Sequence, residues 1–240
     1  MRTIVGGTPL AADCAPPPRF ELLPAGAADA ARRLYGVASN ADESNSAVEI
    51  FYQFDELGVA DEATLLVLSQ VASKAAFHRL RTELQLGYVV QCGVRSVQKC
   101  RGLAVLIQSA VAAPAALERH VEEWLVAFRA GALAELTEAQ LDEYKEAVAR
   151  NLEEPPKTLH QEASAIWPEI SDGTHRWRRA LAQAVRRLSR EELVAVFDAR
   201  VAAGGPLRRK VASHYASQAD DAKRRADEAS GGDQHGAGES

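Results

Sequence analysis

Arg81 and Tyr88 stand seven residues apart in the stretch Leu80-Arg81-Thr82-Glu83-Leu84-Gln85-Leu86-Gly87-Tyr88. A guanidinium is a planar, permanently charged donor, and a phenol carries one O–H donor on a stiff ring. Delivered together to one edge of a sheet, they hold a peptide backbone or polarise a carbonyl. Gly87 lacks a Cβ and so lets another backbone come close beside them. Spacing alone gives a plainer reading first. Arg81 is then a surface charge paired with Glu83 or a helix-end cation favoured by the dipole, and Tyr88 an ordinary strand aromatic.

The other reactive residue types form no recognisable motif. A His-x-x-Glu-His pair, which sets two imidazoles and a carboxylate on one helix face, is absent in either orientation. The nearest fragment is His120-Val121-Glu122-Glu123-Trp124, where Trp124 occupies the second His position; it reads as a solvated helix face. His160-Gln161-Glu162 also lacks a second His and reads as surface helix, while His78, His175, His214 and His235 are isolated. No metal ion is assigned to the chain. There is no Gly-x-Ser-x-Gly elbow, and Cys92 and Cys100 sit in or beside a hairpin with no base near in sequence. Buried or half-buried thiols are expected there.

Charge and composition narrow the partners. Lys and Arg number 28 against 33 Asp and Glu, a net charge of −5, which argues against binding nucleic acid through its phosphates. No run of 18 apolar residues is present, so no membrane span is expected. The three cysteines, Cys14, Cys92 and Cys100, are odd in number and fit neither a disulfide framework nor a zinc pattern. A reduced, cytoplasmic protein is the expectation.

Elements able to position Arg81 and Tyr88 follow from periodicity. Ser46 to Phe54 alternates as a strand with one strongly apolar face. Asp61 caps a helix running to about Leu80, with Leu65, Leu68, Val71, Ala72, Ala75 and Ala76 on one stripe. Tyr88 to Val94 and Gly102 to Ser109 are strands joined by a polar turn. A helix follows with Pro114 in its first turn and Leu117, Val121, Trp124, Leu125 and Phe128 at helical spacing. Thr137-Glu138-Ala139-Gln140 and Ser189-Arg190-Glu191-Glu192 are capping boxes opening two further helices. Between them a helix through Leu159, Ala163 and Ile166 is expected to stop before Pro168. Arg208 to Tyr215 is a last strand, and Arg19 to Leu23 a short first one. Ala27 to Tyr35 is ambiguous between helix and hairpin strand. The class is α+β, an antiparallel sheet covered on one face by helices. Residues 1–18 form a linker or remnant of a preceding domain, 19–216 the folded domain, and 217–240 a disordered polar tail with at most a helical stub.

The run Leu80 to Tyr88, followed by a hairpin and Leu106-Ile107-Gln108-Ser109, resembles the carboxy-terminal fourth domain of the M16 (pitrilysin or insulinase) metallopeptidases, the family of insulin-degrading enzyme. Phe20-Glu21-Leu22-Leu23-Pro24, Asn45 to Gln53, Pro155-Pro156-Lys157-Thr158-Leu159, Trp167-Pro168-Glu169-Ile170, Leu188 to Leu193 and Arg209-Lys210-Val211 follow in the same order. The likeness covers about residues 19 to 215, with Arg-x-x-x-Gln-Leu-Gly-Tyr its strongest part, and extends to the carboxy-terminal lobe of peptidases like coenzyme PQQ synthesis protein F. Glu83-Leu84 departs from the charged residues usual in the family.

The resemblance implies a LuxS/mitochondrial processing peptidase-like metallohydrolase fold. It also implies a non-catalytic, substrate-binding domain, inactive alone, of a zinc metalloendopeptidase. Arg81 and Tyr88 would bind the peptide substrate, and the chain would hold no cofactor. Zinc is expected only in a missing amino-terminal domain, so the partner would be an M16 amino-terminal half or partner subunit. The alternative is a non-enzymatic interaction module or regulatory paralogue with the same fold.

Overall fold

The computed structural model describes residues 22–25, 32–55, 57–97, 100–172 and 178–231. The expected strand at Arg19–Leu23 falls mostly outside them, and Leu22 and Leu23 are not in a strand. Strands β1 (Arg32–Val37), β2 (Ser46–Asp55), β3 (Val89–Val97), β4 (Cys100–Ser109) and β5 (Lys210–Ala216) form one sheet in the order β1-β5-β2-β4-β3. Of the ambiguous stretch Ala27 to Tyr35, residues 32–35 belong to β1, and 27–31 lie outside the described residues. Pairs β5–β2, β2–β4 and β4–β3 are antiparallel, as expected, but β1 pairs parallel to β5. The last strand inserts between β1 and β2 and splits what would otherwise be a hairpin. Mixed pairing at that edge is a matter of which segment arrives, and no local pattern encodes it.

β2 lies mid-sheet. Its Val48, Ile50, Tyr52 and Phe54, with Leu103, Val105 and Ile107 of β4, are fully buried and join one core with the helices. Helix α1 (Val59–Ala76) packs under β3, and α2 (Pro114–Ala130) crosses β2 and β5. The α1 cap is the backbone of Gly58, with no side-chain bond, and Asp61 lies within the first turn, where the dipole favours it. Arg101 of β4 reaches buried Glu62 at 2.7 Å, tying that first turn to the sheet.

Helices α3 (Glu138–Glu153) and α6 (Arg190–Arg200) open with the capping boxes of Thr137 and Ser189. α5 (Arg178–Arg187) buries Leu181, Ala182 and Val185 and turns its arginines outward. One expectation for the helices fails. Helix α4 (Leu159–Asp172) runs through Pro168 instead of stopping before it, and its apolar residues Leu159, Ile166 and Ile170 are exposed. The helical stub allowed for beyond Ser217 is a helix, α7 (Gln218–Gly231), and residues 232–240 of the expected disordered tail lie outside the described residues. Its start is fastened to β2: Ser217 N donates to Ser46 Oγ (2.8 Å), and Ser46 Oγ donates to Asp220 Oδ2 (2.6 Å). Ser217 Oγ in turn accepts from Asp220 N, a cap that composition alone does not reveal. Among the described residues no helix is long and apolar enough to cross a membrane.

Candidate peptide-holding site

The α1 helix continues into a π-helical segment, Phe77–Glu83. The wider turn is closed by Leu84 N donating to Arg79 O and Leu86 N donating to Leu80 O, both 3.0 Å. Such turns are rare and frequent at functional sites. Leu80 is fully buried and fixes the rotation of the segment, which carries Arg81 to the groove wall. Gln85 then adopts φ +49°, in the left-handed region, and turns the chain toward β3. Gly87 lies against the next strand: a Cβ there would fall 1.9 Å from Gln108 O. Tyr88 follows at the mouth of β3 and is 86% exposed.

Arg81 is not paired with Glu83, whose carboxylate takes Arg79 and, at 2.9 Å, His78 instead. Its Nη1 donates to Gly87 O at 3.0 Å, and its guanidinium lies 5.0 Å from the Tyr88 ring centroid and 6.0 Å from that of Phe77. One bond and two ring faces therefore hold the fork beside the phenol. Both residues line a groove of about 590 Å³ with Phe77, Thr82, Gln85 and Val111, and no carboxylate is among its described lining. Arg81 thus brings a positive charge to the wall of a groove suited to carbonyl oxygens.

A second cluster, unread in the sequence, ties α2 to the sheet. Glu118 accepts from Lys210 Nζ (2.6 Å), from Arg33 Nε and Nη2 (3.0 Å each), and lies 2.6 Å from His214 Nε2. Glu122, one turn on, takes Arg208 Nη2 (2.6 Å) and the Tyr52 hydroxyl (3.0 Å). Burial by itself would raise the Glu118 pKa, but the bonds from His214, Arg33 and Lys210 outweigh it and hold the carboxyl far below its usual range. Burial first, then the Glu122 charge, push the Tyr52 phenol well above 10.0. The sequence places Glu122 on a solvated face; here it is half-covered and bonded. Glu118 and Glu122 at i,i+4 beside the apolar stripe, with Lys210 and His214 alternating on β5, were the available signal.

The arrangement does not suit a zinc ion. Among the described residues no group of three or more His, Cys, Asp or Glu side chains could hold a metal. His214 does meet a carboxylate, Glu118, but Lys210 and Arg33 occupy it and would repel a cation. His120 Nδ1 lies 3.3 Å from Glu123 without a hydrogen bond, and His175 and His235 lie outside the described residues. Cys92 and Cys100 are buried, as expected, and burial pushes the Cys92 thiol up to about 12.

Comparison with known proteins gives a consistent picture. The family described as PQQ synthase PqqF-like, C-terminal lobe domain 4, matches residues 67–167, which include Arg81 and Tyr88. Insulin-degrading enzyme of Mus musculus is 29% identical over 177 residues, 73% of this chain and 17% of that protein. Coenzyme PQQ synthesis protein F of Pseudomonas aeruginosa is 36% identical over 153 residues, 64% of this chain and 20% of that one. The pitrilysin crystal structure shares the fold with a TM-score of 0.65 at 24% identity, covering 77% of this chain and 20% of that chain. The chain therefore spans less than a quarter of the length of these curated relatives.

Proposed function

Taking the chain as a carboxy-terminal domain of an M16 family protein, we propose that it binds the peptide substrate and leaves the bond-breaking chemistry to another domain or chain. The observation carrying this reading is the preset pair, Arg81 bonded to Gly87 O at 3.0 Å and packed 5.0 Å from the Tyr88 ring. In this role the exposed Tyr88 hydroxyl donates to a substrate carbonyl, or to the oxyanion that develops as the carbonyl is attacked. The N–H groups of Arg81 not used on Gly87 O make charge-assisted bonds to the same peptide. Because these donors are positioned before the peptide arrives, little ordering is required on binding. The described residues do not fit zinc, and in this reading the domain acting alone is inactive toward peptides.

Co-expression with an M16 amino-terminal half bearing the His-x-x-Glu-His motif tests the reading. Peptide cleavage should fall roughly 100-fold to 1000-fold in Tyr88→Phe and in Arg81→Ala, the range for loss of one preset donor. If both variants cleave like the parent, the assigned roles are wrong.

A second reading, a non-enzymatic interaction module, draws on α4, whose Leu159, Ile166 and Ile170 stand exposed on one helix. Recovery of a single stable partner lacking any zinc motif, released by Ile170→Glu, would favour it over the peptidase role.

A further inference from the structure

The β4–α2 loop separates two hollows, and Val111, 75% exposed, lines both. Its backbone is pinned: Ser109 Oγ accepts from Val111 N (3.1 Å) and Ala112 N (3.0 Å), so the loop is a fixed ridge. On one side lies the Arg81–Tyr88 groove. On the other lies a cavity of about 1560 Å³ whose wall carries seven Lys and Arg against five Asp and Glu.

The five acids are already engaged. Glu118 and Glu122 are bonded to Lys210, Arg33 and Arg208; Asp221 pairs with Arg224 and Arg225; Asp220 accepts from Ser46, and Asp227 also has a partner. Two cations on the wall are not spent in this way. Among the described residues Lys223 of α7 has no ion-pair partner, and Arg119 of α2 reaches only Glu123, at 3.8 Å with both side chains mostly exposed. The start of α2 adds to them: Ala115 and Ala116 line the cavity, and its first turn has neither an acid nor a side-chain cap.

We propose that a peptide held by Arg81 and Tyr88 continues over the Val111 ridge into this cavity, where its acidic side chain or terminal carboxylate is received by Arg119 and Lys223. The inference rests on the peptide-holding role above and adds a preference: peptides that are acidic on one side of the held carbonyl bind better than neutral ones. Both cations are exposed, so the effect belongs to long-range attraction and charge-assisted bonding and weakens with salt.

Fluorescence anisotropy of the full chain with paired labelled peptides, one acidic and one amidated and neutral on the same flank, reads this directly. The acidic peptide should bind about tenfold tighter, the worth of one bond to a charged group. In Arg119→Glu/Lys223→Glu the ratio should fall to about one, with the thermal midpoint confirming that the variant is folded. A ratio near one in the parent chain, or a tenfold ratio that survives the double substitution, overturns the proposal. Tripolyphosphate provides a separate arm: if it binds through Arg119 and Lys223 while the acidic peptide gains nothing, the cavity takes free anions and the peptide path is wrong. Arg81→Ala separates the two readings. Loss of neutral-peptide binding there upholds the groove whatever the cavity does. Intact binding combined with a ratio that depends on Arg119 and Lys223 removes the groove and leaves the cavity.

Discussion

The Arg81 guanidinium sits 5.0 Å from the Tyr88 ring centroid while donating to the carbonyl of Gly87, the residue that immediately precedes Tyr88. One cation thus steadies both the backbone and the side chain of its partner. The groove can afford an exposed phenol because its direction is set from behind.

This predicts a separation of binding from stability. Tyr88→Ala should change unfolding free energy by less than about 0.5 kcal/mol, since the side chain is exposed. Leu80→Ala, which empties a fully buried site on the same segment, should cost about 2–5 kcal/mol in urea titrations.

Gly87→Ala should be more damaging than its small size implies. The new Cβ would lie 1.9 Å from a backbone oxygen that β4 holds in place, so β3 must move away and take Tyr88 with it. A loss of about 1–3 kcal/mol is expected by denaturation, together with a displaced Tyr88 ring resonance in NMR spectra. At Gln85 the reverse substitution is mild. Gln85→Gly relieves the cost of the left-handed conformation and adds unfolded-state freedom, leaving a net change within about 1 kcal/mol.

Glu118→Ala should cost about 1–3 kcal/mol in denaturant titrations, because Arg33 and buried His214 lose their acceptor while Lys210 keeps only its second carboxylate, Glu122, at 2.5 Å. The pH response has a definite sign. The folded-state pKa of Glu118 is depressed below its ordinary 4.5, so the unfolded chain binds its proton first as pH falls. Its contribution is complete above about pH 5 and is lost progressively below that. Glu118→Gln should flatten this acid limb in stability measured from pH 6 downward.

In a Cys14→Ser background, neither remaining thiol should react with a disulfide reagent at pH 8 until the chain unfolds. Cys92 is buried with its pKa pushed up to about 12, and the Cys100 thiol is raised by burial as well. Reaction in step with global unfolding is the expected result, and rapid labelling of the native chain would contradict the packing of β3 and β4.

Legibility in the sequence followed the range of the interaction. The capping boxes at Thr137 and Ser189 and Pro114 at the start of α2 are local devices, and each is where its residues indicate. The continuation of α4 through Pro168 and the anchoring of α7 on β2 were not legible. The first involves a helix with little covering it; the second depends on Ser217 meeting Ser46 across 171 residues.

The sequence by itself determined the periodicity of the elements, the Arg81 to Tyr88 segment as the place to look, and the family likeness that gives it meaning. Only the tertiary structure decided that Arg81 bonds Gly87 and not Glu83, because a π-helical turn and a left-handed Gln85 redirect side chains that helical spacing alone would place elsewhere. It alone brought Glu118 to Lys210 and His214, and β1 alongside β5. Those pairings join segments remote in the chain, and their stability comes from burying charge with its partner, which no local pattern records.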